Sequence, residues 1–136
     1  MLYLDTSALA KLYIIEPEGL GIQAILKTNE PWLFTSIVTY AETLATRARS
    51  MREERIARQS YQRQKKAFLS DWNALHVVAL TPAVLSSAEQ LTDRHGLRGF
   101  DAIHLCSALW IGRPSFACFD ERLRRAAAGE GLTVIP

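Results

Sequence analysis

Cysteine is scarce in this 136-residue chain, with only Cys106 and Cys118 present. The two form no framework of spacings and sit among apolar residues, which excludes a disulfide-stapled scaffold and suits small buried thiols. Core packing is therefore expected for both, with a metal or redox pair as the alternative. Long apolar runs are missing too, since the longest falls far short of a membrane span. The opening MLYLDTSALA has no basic segment before its apolar residues and no small-residue cleavage site, and Asp5 interrupts it early. No secretory signal is expected, and a cytoplasmic location is. No internal repeat is visible, and apolar and charged fractions of 49% and 22% argue against disorder or low complexity. The length suits a single domain over residues 1–136.

Net charge is also small, at +2, but its distribution is uneven. Arg47, Arg49, Arg52, Arg55, Arg58, Arg63, Lys65 and Lys66 stand against Glu53 and Glu54 alone, so the rest of the chain is acidic by difference. This stretch is either a face for a polyanion or an ordinary solvated helical face.

Apolar periodicity and breakers divide the chain into alternating strands and helices. Leu2 to Leu4 read as a short strand ending at Asp5, followed by a helix from about Ser7 to Ile15 that Glu16-Pro17-Glu18-Gly19 breaks. A second helix is predicted over Leu20–Lys27, and a strand over Trp32-Leu33-Phe34-Thr35. Thr35 or Ser36 is placed to cap the helix that carries Glu42 about two turns in. Arg52 to Trp72 contains neither Gly nor Pro and predicts one long helix, joined to the previous one as a hairpin. His76 to Leu80 form another strand, and Thr81-Pro82 predicts a helix opening. That helix runs to His95 before Gly96, the next covers Phe100–Trp110, and Gly112-Arg113-Pro114 ends it. Phe116 to Phe119 form a strand ending at Asp120, Arg122 to Ala128 a helix, and Leu132 to Ile135 a last strand.

The alternation predicts an α/β/α sandwich with a central, mainly parallel sheet flanked by helices, and the short continuous apolar strands suit a sheet buried on both faces. Ligands in such folds sit beyond the carboxyl ends of the strands. Two strands there end in aspartates, Asp5 and Asp120. Asp101 opens a helix at the same edge, and Glu42 lies in a helix leaving another strand. Each has a structural explanation alone: Asp5 and Asp120 as helix caps, Asp101 at a helix dipole, Glu42 paired with Arg47 or Arg49. Four carboxylates together repel unless a cation keeps them ionised. Oxygen donors of this kind suit Mg²⁺ or Mn²⁺. One such ion, or two about 3.5–4 Å apart, can activate water for phosphodiester hydrolysis. His104 follows Asp101 by one helical turn and reads as a packing or supporting residue, because the expected metal prefers oxygen; His76 and His95 carry no motif. Thr6 and Ser7 are candidates to hydrogen-bond a carboxylate or phosphate, or to cap the first helix.

The blocks LYLDTSALAKLY, SIVTYAETLATRAR, LRGFDAIHLCSAL and FACFDERLRRAA resemble the PIN-domain family, and within it the VapC type of toxin ribonuclease. In order and spacing they span nearly the whole chain. The resemblance implies a PIN-like fold in which Asp5, Glu42, Asp101 and Asp120 form the acidic quartet that serves as both metal ligands and catalytic residues, with Thr6 or Ser7 at the hydroxyl position. No acid is lost, and Phe100 stands where the family more often has tyrosine. The implied activity is Mg²⁺- or Mn²⁺-dependent endoribonuclease, the toxin of a type II toxin-antitoxin pair. Its partners would be RNA, a VapB-like antitoxin that inserts an arginine or a helix into the acidic pocket, and a second copy paired near Trp32 and Tyr40. The basic stretch would guide RNA phosphates, and Glu42 is the better candidate to orient or deprotonate water. The alternatives are a PIN nuclease of RNA processing or decay without an antitoxin, and a non-catalytic RNA-binding module, to which acids in the groove would be no help. A phospho-accepting receiver is excluded, because it needs adjacent acids after the first strand and a late lysine, and none follows Lys66.

Overall fold

A computed structural model of the chain describes residues 1–13, 20–29 and 32–135. Its centre is a five-stranded sheet built from β1 (Leu2–Leu4), β2 (Leu33–Ser36), β3 (His76–Val78), β4 (Ser115–Ala117) and β5 (Val134–Ile135) in the order β3-β2-β1-β4-β5. Every pairing is parallel, with Tyr3 beside Phe34 on one side and Phe116 on the other. All of β1 is buried, as the central strand of a sheet covered on both faces must be.

Side chains alternate along a strand, so the sheet divides the core in two. Tyr3, Phe116 and Cys118 face one layer, where they meet residues of α5 (Ala88–His95), α6 (Gly99–Trp110) and α7 (Glu121–Gly129), including Leu91, Leu105 and Leu123. Leu2, Leu4 and Ala117 face the other, against Leu9 of α1 (Thr6–Lys11), Ile22 of α2 (Leu20–Asn29) and Phe68 of α4 (Arg58–Asp71). Each fully buried Leu or Phe contributes about 1.5–3 kcal/mol. The expected α/β/α sandwich is thus the fold observed. Among the described residues no helix is long and apolar enough to cross a membrane.

From β1 the chain steps outward to β2 and β3, then returns to β4 and β5 on β1's other side. The order reverses between β1 and β4, and a crevice opens where loops diverge from two such strand ends. Asp5 follows β1 there, and Asp120 lies just beyond β4.

Several boundaries differ from expectation. α1 stops at Lys11, where Leu12 and Tyr13 tighten into i→i+3 bonds; Ile14, Ile15 and the break at 16–19 lie outside the described residues. The helix predicted from Arg52 to Trp72 is not continuous. Arg52 ends α3 (Val38–Arg52), and the chain turns through Glu54, at φ 56°, before α4 begins. Nothing at Glu53-Glu54 signals that break, because neither is a helix breaker. Thr81-Pro82 opens a 3₁₀ turn at Val84–Ser87 and α5 follows only at Ala88, although Thr81 Oγ1 does accept from Val84 N–H at 3.3 Å. The α3 cap also differs: Ile37 holds that position. The Thr35 hydroxyl instead donates to the Leu4 carbonyl at 2.8 Å and lies 2.8 Å from Thr39 Oγ1.

Candidate active site

The crevice between β1 and β4 gathers the four predicted acids. Asp5, Glu42, Asp101 and Asp120 line one cavity of 270 Å³, with Thr6, Ser7, His104 and Arg47 also on its wall. Each acid reaches it from a different part of the chain.

Asp5 caps α1. Its Oδ1 accepts from Ala8 N–H at 2.8 Å and from Ser7 Oγ at 2.7 Å, satisfying a donor that a helix start leaves open. Ser7 in turn accepts from Phe119 N–H at 2.9 Å, which ties the end of β1 to the loop after β4. Asp120 caps α7 through Leu123 N–H at 2.9 Å, and its own N–H approaches Cys118 Sγ at 3.2 Å. The readings of Asp5 and Asp120 as caps and as site residues are therefore compatible. Both cysteines are buried and free. Asp101 lies in the first turn of α6, and Glu42 stands just over one turn into α3, one turn earlier than expected.

Glu42 is held from the other side of the cavity. Thr6 Oγ1 donates to its Oε2, and His104 Nε2 lies 3.3 Å from the same oxygen and 3.1 Å from Thr6 Oγ1. Behind the imidazole, Tyr3 Oη is 3.0 Å from Nδ1. Burial keeps the Tyr3 phenol protonated far above its usual range. The donor order that satisfies every group runs from Tyr3 O–H to Nδ1, from Nε2–H to Thr6 and Glu42, and from Thr6 O–H to Glu42. His104 is 3% exposed and spends both nitrogens this way, in agreement with its reading as a supporting residue. Glu42 does not pair with Arg49, which bonds Glu53 at 3.2 Å.

The electrostatics separate Glu42 from its neighbours. Burial raises the pKa of Asp5, 5% exposed, against the opposing pull of His104. Burial also raises that of Asp101, and the Asp120 charge adds to it. For Glu42 burial pushes upward, but the bonds from His104 and Thr6 outweigh it and its pKa falls. The cavity thus holds one well-stabilised carboxylate and two that resist ionisation without a cation.

The donor set fits a hard divalent cation, being carboxylate oxygen with the one imidazole already engaged. Thr43 also borders the cavity, and its Oγ1, buried away from solvent, has no hydrogen-bond partner among the described residues. Among those residues no three His, Cys, Asp or Glu side chains stand close enough to wrap an ion directly. A cation here would therefore keep much of its water, as Mg²⁺ commonly does. Tyr3 and Thr43 were not found from sequence. Tyr3 is one polar atom in an apolar strand, and only the fold brings it to a histidine 101 residues away.

Comparison with known proteins agrees with this architecture. The family model described as PIN domain matches residues 2–129. Ribonuclease VapC49 of Mycobacterium tuberculosis (strain ATCC 25618 / H37Rv) is 32% identical over 138 residues, covering 100% of this chain and 95% of that protein. Among solved structures, FitAcB from Neisseria gonorrhoeae superposes with a TM-score of 0.76 at 15% identity, covering 100% of this chain and 97% of the other. A toxin-antitoxin complex from Klebsiella pneumoniae gives 0.67 at 18%, with the same coverage. At such identities the structures bear on the fold alone.

Proposed function

The chain belongs to the PIN-domain family, and from that premise we propose that it is a metal-dependent endoribonuclease acting as the toxin of a VapBC-like toxin-antitoxin pair. The observation that carries the reading is the convergence of Asp5, Glu42, Asp101 and Asp120 on one cavity at the sheet's switch point. Full-length relatedness to a protein named as a ribonuclease supports the choice of RNA.

In this reading Asp5 and Asp101 would share Mg²⁺ or Mn²⁺, with Asp120 and Glu42 completing the set directly or through water. The ion would polarise the phosphodiester and ease deprotonation of water. Glu42, ionised and fixed by Thr6 and His104, orients the attacking water and accepts its proton. Tyr3 and His104 are positioning residues that keep the Glu42 carboxylate aimed. Ser7 holds Asp5 to the β4 side, and the basic stretch along α3 and α4 offers charge to RNA phosphates. The partner is a VapB-like antitoxin that places an arginine or a helix in the acidic cavity. A second copy pairs near Trp32 and Tyr40, 68% and 37% exposed; mass that stays monomeric at every concentration in sedimentation would refute that pairing.

The test incubates purified protein with a panel of structured RNAs, with and without Mg²⁺ or Mn²⁺, beside Asp101→Asn. Metal-dependent cutting lost in the variant is expected. A folded wild type that binds the metal and cuts none of the RNAs would overturn the reading.

A further inference from the structure

Beside the acidic cavity lies a second hollow of 410 Å³, bounded by Glu42, Arg98, Gly99, Phe100, Asp101 and Ile103. Glu42, Phe100 and Asp101 border both spaces, so the two are adjoining rooms with a common wall. Phe100 sits at that wall and is 54% exposed. The next turn of its helix is buried from His104 to Ala108, so the ring is no part of the core. Arg98 precedes α6, makes no side-chain cap to it, and acts electrostatically on Asp101. Gly99 leaves the floor low: a Cβ there would meet nothing within 4 Å.

An exposed aromatic ring and a guanidinium-bearing residue bordering one hollow are the pairing that single-stranded nucleic acid uses, the ring for a base and the cation for a phosphate. A strand with one phosphate at Asp101 reaches the second hollow with its neighbouring nucleotide. An apolar protein side chain would offer nothing to the Asp101 carboxylate and the Arg98 guanidinium at that hollow, whereas base edges and sugar hydroxyls can donate to the first and phosphate oxygens accept from the second. We propose that the second hollow is a nucleotide subsite, in which the base next to the scissile bond stacks on Phe100 and an adjacent phosphate meets Arg98. The proposal rests on the acidic cavity being the place of RNA hydrolysis, and it assigns the contacts that hold the nucleotide next to the cut. Stacking tolerates all four bases and ranks them by stacking strength.

The experiment maps the cut in an RNA that the wild type cleaves and then places 2-aminopurine on either side of it. Wild type is expected to quench the probe on one side. Phe100→Ala should lose that quenching and about tenfold in kcat/KM, chiefly through KM, and Phe100→Trp should restore both. Gly99→Leu fills the hollow from a position with open space, so it should reproduce the defect with an unchanged melting temperature. Arg98→Gln should weaken binding and flatten its salt dependence. If Phe100→Ala quenches and cleaves as wild type does, the subsite is refuted while the nuclease reading stands. Undiminished RNA turnover together with lost affinity for an inhibitory protein would assign the ring to that protein instead. A folded, metal-loaded wild type that cleaves no RNA removes both readings.

Discussion

Two clusters of acids and imidazoles in this molecule handle charge in opposite ways. At Glu130, just after α7, each charge finds a complement: Oε1 lies 2.7 Å from Arg94 Nη1 and 2.8 Å from His95 Nε2. The His95 bond, foremost, and Arg94 hold its carboxyl below the usual range. In the crevice between β1 and β4, burial instead raises Asp5 and Asp101, and Asp120 presses further on Asp101. The first arrangement stabilises a fold. The second costs stability, and a chain retains such a cost where a ligand can relieve it.

The contrast can be broken most severely at Glu42. Glu42→Gln should keep the fold and lower kcat by about 10²–10⁴-fold, the range for loss of a general base, measured under single-turnover conditions with metal in excess. A variant as fast as wild type would remove the proton-accepting role.

Next in size is the pH dependence of cation binding, read by calorimetry with Mn²⁺ at several values from pH 5 to 7.5. Because the Asp5 and Asp101 pKa values are raised, protons compete with the cation at higher pH than for exposed carboxylates. Below those pKa values affinity should fall about tenfold per pH unit for each proton displaced. An affinity that begins to fall no earlier on acidification than that of a small chelator with exposed carboxylates would contradict the raised values.

Stability sharpens the same point without any metal. A carboxyl whose folded pKa is raised favours the fold at low pH, and that contribution is lost as pH rises through the folded value. Asp101→Asn should therefore melt a few degrees above wild type at neutral pH in chelator, with the gap closing on acidification. Added Mg²⁺ should raise the wild type and leave the variant behind.

The smallest effect belongs to the compensated cluster. Glu130→Gln should cost about 0.5–1 kcal/mol at neutral pH, the upper part of the range for an ion pair with one exposed partner, with RNA cleavage unchanged. Here the sign reverses: the lowered pKa stabilises above the unfolded value, and that benefit fades as pH falls through the folded one. A melting curve for the variant identical to wild type at pH 7 would show that the pair contributes nothing.

Legibility from sequence followed the same division between local and distant causes. Asp5 and Asp120 stood out because each ends an apolar strand, and parallel topology puts such ends at one edge. The sheet and most helices were readable for a similar reason, since apolar runs and breakers act over a few residues. The chain reversal at Glu54 was not, because its residues favour a helix and tertiary packing decides otherwise. Nor was the late start of α5, where Thr81-Pro82 supplied the signal for a helix and the backbone made a 3₁₀ turn first. The line from Tyr3 through His104 to Glu42 was hidden most completely, since its members come from β1, α6 and α3 and meet only in three dimensions.

The Ser7–Phe119 hydrogen bond joins residues 112 positions apart, and this bears on when the crevice comes into being. Translation delivers Asp5 and Glu42 long before Asp101, and β4, which pairs directly with β1, and Asp120 follow later still. A ribosome paused in between carries two of the acids and no pocket. For a protein proposed to cut RNA inside the cell that makes it, harmful capacity arrives only after the fourth acid has been synthesised and docked.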